Sequence, residues 1–247
     1  MSRAGEGGIA LTTLTALFDP FLSLLYPPRC LVCRALGECG LCARCLAQIV
    51  PVEPPFCRTC GHPLSPDGGC ASCAVRRPAF TRTRSLGAYD GILRVAIHQL
   101  KYHDRPQLAT PLGQALAVSA RTQAADLNGL RFDALLPVPM HPIRRRLRGY
   151  NQSERLAQIV AAELVLPLWN DALRRTRATR PQVGLDAAAR RTNLQGAFTV
   201  LRPEAVAAKT LLLIDDVITT GSSLHECALV LKAAGAKAVF ALTLAAG

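Results

Sequence analysis

The chain has 247 residues, half of them hydrophobic, enough for a buried core in one domain with a small appendage. Twenty-nine Lys and Arg against 17 Asp and Glu leave a net charge of +12 and a pI near 9.7, a balance that favours polyanions without choosing between nucleic acid and a polyphosphorylated small molecule. Aromatic residues make up only 5%, which argues against an extended base-stacking platform.

The amino end, residues 1–25, reads as a helical lead. Leu11, Leu14, Leu17 and Phe18 fall on one helical face, suited to docking on the rest of the protein. Asp19-Pro20 interrupts the apolar run, whose pieces are shorter than the about 20 residues a membrane span needs. Arg3 is offset by Glu6, so no signal-peptide charge pattern is present. The expectation is a cytoplasmic protein without a membrane span.

Residues 26–77 hold nine of the ten cysteines, eight of them in four C-x-x-C pairs: Cys30/Cys33, Cys42/Cys45, Cys57/Cys60 and Cys70/Cys73. Two sulfurs so spaced reach one ion, and four thiolates close a tetrahedral zinc site. Eight ligands predict two zinc ions, structural because no coordination position is left for water. A disulfide framework is the competing reading, and the expected reducing compartment disfavours it. Consecutive pairs sharing an ion, or the first pair joining the third, are both compatible with the spacing. Cys39 is left over, and His62 reads as a loop histidine.

The cysteines stop before Arg76-Arg77-Pro78, so a second unit is expected over 78–247. Tyr89, Ile92, Val95, Ala96 and Leu100 suggest a turn and an amphipathic helix, with Lys101 at its end where a cation offsets the dipole. Gln107 to Ala125 reads as a second helix. Phe132 to Pro139 reads as a buried strand leading into Arg144, Arg145, Arg146 and Arg148, followed by Gly149 and the amides Asn151 and Gln152. That run reads either as a pyrophosphate-binding turn with guanidinium forks or as a solvated basic loop. Arg174 to Arg191 reads as a mobile basic loop, placed to close over a site or to track a nucleic-acid backbone.

Leu211 to Ile214 form an apolar run without alternation, the pattern of a strand buried on both faces of a parallel sheet. At its end Asp215 and Asp216, acceptors when ionised, call for sugar hydroxyls, a cation or backbone N–H groups. Thr219, Thr220, Gly221, Ser222 and Ser223 then supply hydroxyls and a flexible glycine ahead of a helix, a cradle for phosphate. Ribose hydroxyls beside a phosphate describe a ribose 5-phosphate bound at the carboxyl end of a strand. An acidic receiver-type pocket also follows an apolar run, but it has no hydroxyl-rich loop and needs more chain after the pair. The helix continues through Cys227, a buried small side chain, to Ala234, Gly235 ends it, and Ala238 to Leu244 is a last strand.

Thr210 to Leu224 resembles the phosphoribosyl-pyrophosphate (PRPP) signature of type I phosphoribosyltransferases, with Ser223 where a threonine usually closes the loop. With the four cysteine pairs, Tyr89, Lys101-Tyr102, Pro137-Val138-Pro139, Arg148 to Gln152, Arg177 with Thr179 and Pro181-Gln182, Arg190 to Asn193 and Ala197-Phe198, nearly the whole chain is similar to the ComF family. That resemblance implies a double zinc ribbon fused to a phosphoribosyltransferase-like, doubly wound α/β domain with a parallel sheet. It further implies PRPP with Mg²⁺ as ligand. Asp215 and Asp216, the candidate catalytic pair, would contact the ribose hydroxyls, Thr219 to Ser223 the 5-phosphate, and Lys101, Arg148, Asn151 and Gln152 would complete the phosphate site. A role in DNA uptake follows from the same resemblance, with single-stranded DNA and uptake-machinery proteins as partners. Tyr150 stands where phenylalanine is common in the family. Two functions stay open, a phosphoribosyltransferase and a single-strand-binding accessory without turnover.

Overall fold

A computed structural model describes residues 27–122, 127, 129–177 and 187–247. The helical lead, the end of the second helix at Ala124 and Ala125, and the stretch with Thr179, Arg180, Pro181, Gln182 and Gly184 lie outside the described residues.

The elements in order are α1 (Ala43–Leu46), α2 (Ala71–Val75), β1 (Arg82–Ala88), α3 (Gly91–Tyr102), a 3-10 turn (Pro106–Leu108), α4 (Ala109–Thr122), β2 (Ala134–Pro137), α5 (Pro142–Arg148), α6 (Gln152–Leu164), β3 (Leu173–Arg175), α7 (Ala187–Leu194), β4 (Phe198–Val200), α8 (Pro203–Val206), β5 (Thr210–Ile218), α9 (Ser222–Ala233) and β6 (Ala238–Ala246). Among the described residues, β1-β6-β5-β2 form a sheet whose three pairings are all parallel. β3 and β4 form a separate antiparallel ribbon.

Parallel strands bury both faces, and β5 shows why its sequence does not alternate. Leu212 and Ile214 join the apolar cluster of α3, α4 and α6, whereas Leu211 and Leu213 join that of α9 and the β3–β4 ribbon. The sheet is thus covered on both sides, the doubly wound arrangement. α3 buries Leu93, Ala96, Ile97 and Leu100, the i, i+3, i+4, i+7 stripe of an amphipathic helix. Val95, expected inside, is 43% exposed because Leu93 and Ile97 set the stripe one position away. α4 and α6 approach closely at Gly113, where a Cβ would lie 2.8 Å from Ile159.

The cysteine-rich head shares this core. Cys30, Leu41, Cys42 and Cys45 pack with α3 and α4, and Gln99 Nε2 donates to the Leu31 carbonyl at 2.7 Å. β1 is an edge strand of the sheet, and the head's main chain covers its outer side. Ala88 N–H donates to Val50 O at 2.9 Å and Thr83 N–H to Thr59 O at 2.8 Å. At Gly87 a Cβ would sit 2.5 Å from Val50 O, so only glycine admits that approach. Edge N–H groups are a template for unwanted pairing, and here they are taken up within the chain.

Two expected elements are corrected. The arginine run is neither turn nor loop but the short helix α5, started by Pro142 at its first position, where the missing N–H costs nothing. His141 Nδ1 caps it by accepting from Ile143 N–H at 3.3 Å, and Gly149 ends it at φ 82°, a left-handed position that favours glycine. Arg174 and Arg175, expected in a mobile loop, lie in β3. Arg175 is buried, its guanidinium 5.6 Å from the Phe198 ring centroid across the ribbon.

Candidate functional site

β5 carries Asp215 and Asp216 inside the strand, which continues to Ile218 rather than stopping before the pair. Both are buried, so each oxygen needs a partner. Ser153 Oγ donates to Asp215 Oδ1 at 2.8 Å, as does the Asp216 N–H at 2.9 Å. Asp216 receives Lys101 Nζ on Oδ1 at 2.8 Å and Gln152 Nε2 on Oδ2 at 2.6 Å. Burial first, and the Asp216 charge second, raise the Asp215 pKa to about 7, so near neutrality this carboxyl is poised between its two forms. Burial alone would pull the Lys101 ammonium down, but Asp216 and then Asp215 outweigh it and hold its pKa above the ordinary value.

Each partner is fixed by the end of an element. Lys101 closes α3, where the Tyr150 hydroxyl donates to the Leu100 carbonyl, a contact that phenylalanine at 150 could not make. Asn151 caps α6 by accepting from Ser153 N–H at 3.2 Å while its amide donates to Val138 O at 3.1 Å. That second bond ties the helix start to the end of β2. The cap brings Gln152 and Ser153 over the carboxylates. Arg148 Nη1 donates to Gln152 Oε1 at 2.6 Å, so α5, α6, β5 and α3 meet in one polar chain.

Above it opens a cleft of about 400 Å³, within the range of small-molecule sites. Lys101, Arg144, Arg148, Asn151, Gln152, Asp215, Asp216, Thr219 and Ser223 line it. Arg144 and Arg148 stand four apart on one face of α5, whereas Arg145 points to Glu154 at 3.1 Å and Arg146 is exposed. Arg175 and Ser153 also line the cleft, and sequence reading passed over both as site residues. Arg175 was grouped with a loop, and the serine differs from an ordinary first-turn residue only by lying beside Asn151 and Gln152. Burial and the nearby Arg144 lower the Arg175 pKa to about 10. Four cations, Lys101, Arg144, Arg148 and Arg175, thus share the cleft with two carboxylates.

Thr219 and Ser223 face the cleft, while Thr220, Gly221 and Ser222 form the turn behind. Thr220 and Ser222 share a hydroxyl hydrogen bond of 2.7 Å, and Gly221 takes φ 68° as the residue before α9. The first N–H groups of α9 therefore emerge at the loop, where a helix N-terminus attracts anions.

The eight paired cysteines gather as predicted into two groups, and the open question of pairing resolves to consecutive pairs. Cys30, Cys33, Cys42 and Cys45 form one and Cys57, Cys60, Cys70 and Cys73 the other, all sulfurs of a group within 4.8 Å of one another. Contacts of 3.8 Å for Cys30–Cys45, 3.6 Å for Cys33–Cys42, 3.8 Å for Cys57–Cys73 and 3.4 Å for Cys60–Cys70 are too long for disulfides. They approach the edge of about 3.8 Å of a sulfur tetrahedron with zinc–sulfur bonds of about 2.3 Å. Burial pushes the Cys30 thiol up, but backbone N–H groups of Cys33, Cys42 and Val32 outweigh it and bring it to about 6. Cys57 falls to about 7 by the same balance, whereas burial first raises Cys45 and Cys73 in the same groups. The two quartets fit two structural zinc ions. Cys39 is exposed and stands outside both.

Residues 21–74 match the double zinc ribbon domain family. The DNA utilization protein YhgH of Escherichia coli strain K12 is 34% identical over 221 residues, covering 87% of this chain and 96% of that protein. Competence protein F of Haemophilus influenzae is 31% identical over 217 residues, covering 85% and 93%. Among solved structures, the allosteric regulatory enzyme of purine biosynthesis is similar at 18% identity and a TM-score of 0.40, over 59% of this chain and 29% of that one. With both quartets, the parallel sheet and relatives matched over nearly their full length, the chain belongs to the ComF family, a double zinc ribbon joined to a doubly wound α/β domain.

Proposed function

We propose that the cleft binds PRPP and that the protein serves the use of external DNA in the cytoplasm, alongside DNA-uptake proteins. The observation that carries the ligand reading is the end of β5. Two buried carboxylates stand beside a hydroxyl-rich turn at a helix N-terminus, with Lys101, Arg144, Arg148 and Arg175 across the cleft. Asp215 and Asp216 suit the ribose hydroxyls, Thr219 to Ser223 the 5-phosphate, and the cations the pyrophosphate. Bound ribose would take over oxygens of Asp216 that Lys101 and Gln152 now satisfy, turning both donors toward the ligand. The donor set also fits Mg²⁺, which takes one or two carboxylates and completes its shell with phosphate oxygens and water. The DNA reading draws on the names of the relatives, a DNA utilization protein and a competence protein.

Calorimetry tests the ligand. Mg²⁺-dependent PRPP binding is expected, weakened at least about tenfold by Asp216→Asn, which loses a charge-assisted contact. Gly221→Val is expected to weaken it too, because valine strains at φ 68°. Equal affinity in all three proteins removes the assignment. Pyrophosphate release from PRPP, with nucleobases, nucleosides and single-stranded DNA offered as acceptors, decides turnover.

A second reading, a single-strand-binding accessory, is favoured by one surface feature. His103 and His98 lie 5.2 Å apart, His98 and Tyr102 4.8 Å, and the Arg148 guanidinium is 5.3 Å from the Tyr102 ring. Few as the aromatics are, this strip leads into the cleft beside exposed Arg145 and Arg146, and rings with cations suit unpaired bases. If DNA uses it, Tyr102→Ala lowers oligonucleotide affinity, Arg146→Ala lowers the salt slope, and PRPP competes with the strand.

A further inference from the structure

We infer that the second cysteine quartet positions the phosphate loop, with Glu226 as the positioning residue through which the ribbon holds α9. The inference rests on the reading of Thr219 to Ser223 as a phosphate site.

The quartet and the loop are joined by a short piece of chain. Cys73 lies in α2, whose preceding residue is Cys70, so metal held by this quartet fixes both ends of the helix's first turn. Three residues beyond Cys73, Arg76 reaches Glu226 on α9 at 3.4 Å. Ala79 N–H then donates to Nδ1 of His225 at 3.1 Å. Next, the Phe80 ring packs under the loop, 3.6 Å from where a Cβ on Gly221 would stand. Within five residues the ribbon's exit segment touches α9 twice and the loop once.

Glu226 is the buried charge in this set. It is only 2% exposed, and a buried carboxylate needs compensation on both oxygens. Oε1 faces Arg76 and Oε2 accepts the Gly196 N–H at 3.1 Å. Gly196 belongs to the turn entering β4, and neighbouring Gln195 O accepts Arg177 Nη2 at 2.6 Å. One carboxylate thus joins the zinc ribbon, the first turns of the phosphate helix and the base of the basic ribbon. Beneath, Cys60, Phe80, Ile218, Leu224 and Cys227 share one buried cluster, so no solvent layer separates the quartet from the loop. Among the described residues the first quartet has no such path: its buried members pack with α3 and α4, on the other face of the sheet.

Two probes separate the outcomes in the full chain. Ribose 5-phosphate reports on the loop, and inorganic pyrophosphate on the cations of α3, α5 and β3. Arg76→Ala and Glu226→Gln are each expected to weaken ribose 5-phosphate about tenfold, an ordinary size for coupling between sites. Both should leave pyrophosphate affinity and zinc content unchanged, and the double variant should cost no more than the worse single one. Cys73→Ser is expected to lower zinc from two ions to one and to raise hydrogen exchange at Thr220 to Ser223. If Cys73→Ser does not fold, the Arg76 variant still decides, since Arg76 lies outside the quartet. Unchanged ribose 5-phosphate affinity in Arg76→Ala and Glu226→Gln overturns the inference and leaves the phosphate site standing. Equal losses for both probes also overturn it, because they indicate general loosening. No ribose 5-phosphate binding by the unaltered protein removes the phosphate reading and the inference with it.

Discussion

The two cysteine quartets have the same C-x-x-C pairs and nearly the same gap between them, eight residues in one and nine in the other, yet they lean on different parts of the molecule. Three ligands of the first, Cys30, Cys42 and Cys45, are almost inaccessible and extend the core formed by α3 and α4, while its Cys33 is exposed. The second has Cys57, Cys70 and Cys73 partly exposed and borders the face that carries α9. One motif thus supplies a piece of core in one place and, on the inference drawn above, a brace for the Thr219–Ser223 loop in the other. Ligand spacing tells that a metal fits, and the neighbours tell what its site adjoins.

The largest effect expected of this contrast is in stability. Cys45→Ala removes a zinc ligand and opens a void in the main core, and should cost more than about 3 kcal/mol, since structural zinc contributes folding energy directly. Cys73→Ala should cost measurably less while also releasing one ion. Denaturant unfolding with metal analysis checks both, and equal losses would dissolve the distinction between the quartets. Next in size is Gly87→Val. Its Cβ would meet Val50 O at 2.5 Å and Ile49 at 2.8 Å, an overlap with main chain that should cost about 3 kcal/mol. Zinc content should stay at two, because neither Ile49 nor Val50 is a metal ligand.

At the carboxyl end of the sheet, the cleft gathers buried charge. The Asp215 pKa of about 7 lies above the usual carboxylate value of about 3.9, so between those values the folded chain holds a proton that the unfolded chain releases. Stability therefore falls as pH rises through that window, by up to about 1.4 kcal/mol per pH unit. Asp215→Asn should flatten the fall and stabilise the protein at pH 8 by on the order of 2 kcal/mol. Unfolding curves from pH 5 to 8 measure it, and an unchanged slope assigns the proton elsewhere. The smallest expected effect belongs to the first quartet's side. Gln99→Ala, losing the bond to Leu31 O, should cost about 1 kcal/mol with ligand affinity unchanged.

Local signals were legible in the sequence because each is a short-range pattern. The cysteine pairs, the unalternating run before Asp215 and the glycine ahead of α9 each sit within a few residues of what they determine. Arg144 to Arg148 misled because a charge run reads as loop until Pro142, His141 and Gly149 are seen as the ends of a helix. Lys101 looked like an ordinary helix-end cation, and its partner Asp216 lies 115 positions away in the chain. Glu226 carries no local mark at all: its meaning comes from Arg76 and Gly196, which only the packing of the ribbon, α9 and β4 brings together.

The placement of β1 also bears on the order in which the chain is made. β1 is the first strand of the sheet to leave the ribosome, yet its partner in the sheet is β6, with Arg82 opposite Phe240 and Ala88 opposite Ala246. Nearly the whole body must be synthesised before that pairing is possible, and such long-range contacts form slowly. The head precedes β1 and already supplies Val50 O and Thr59 O to its N–H groups. A body begun at residue 78 would expose that edge both while waiting for β6 and afterwards. The ribbon thereby takes up one side of the first strand and leaves the other for the last.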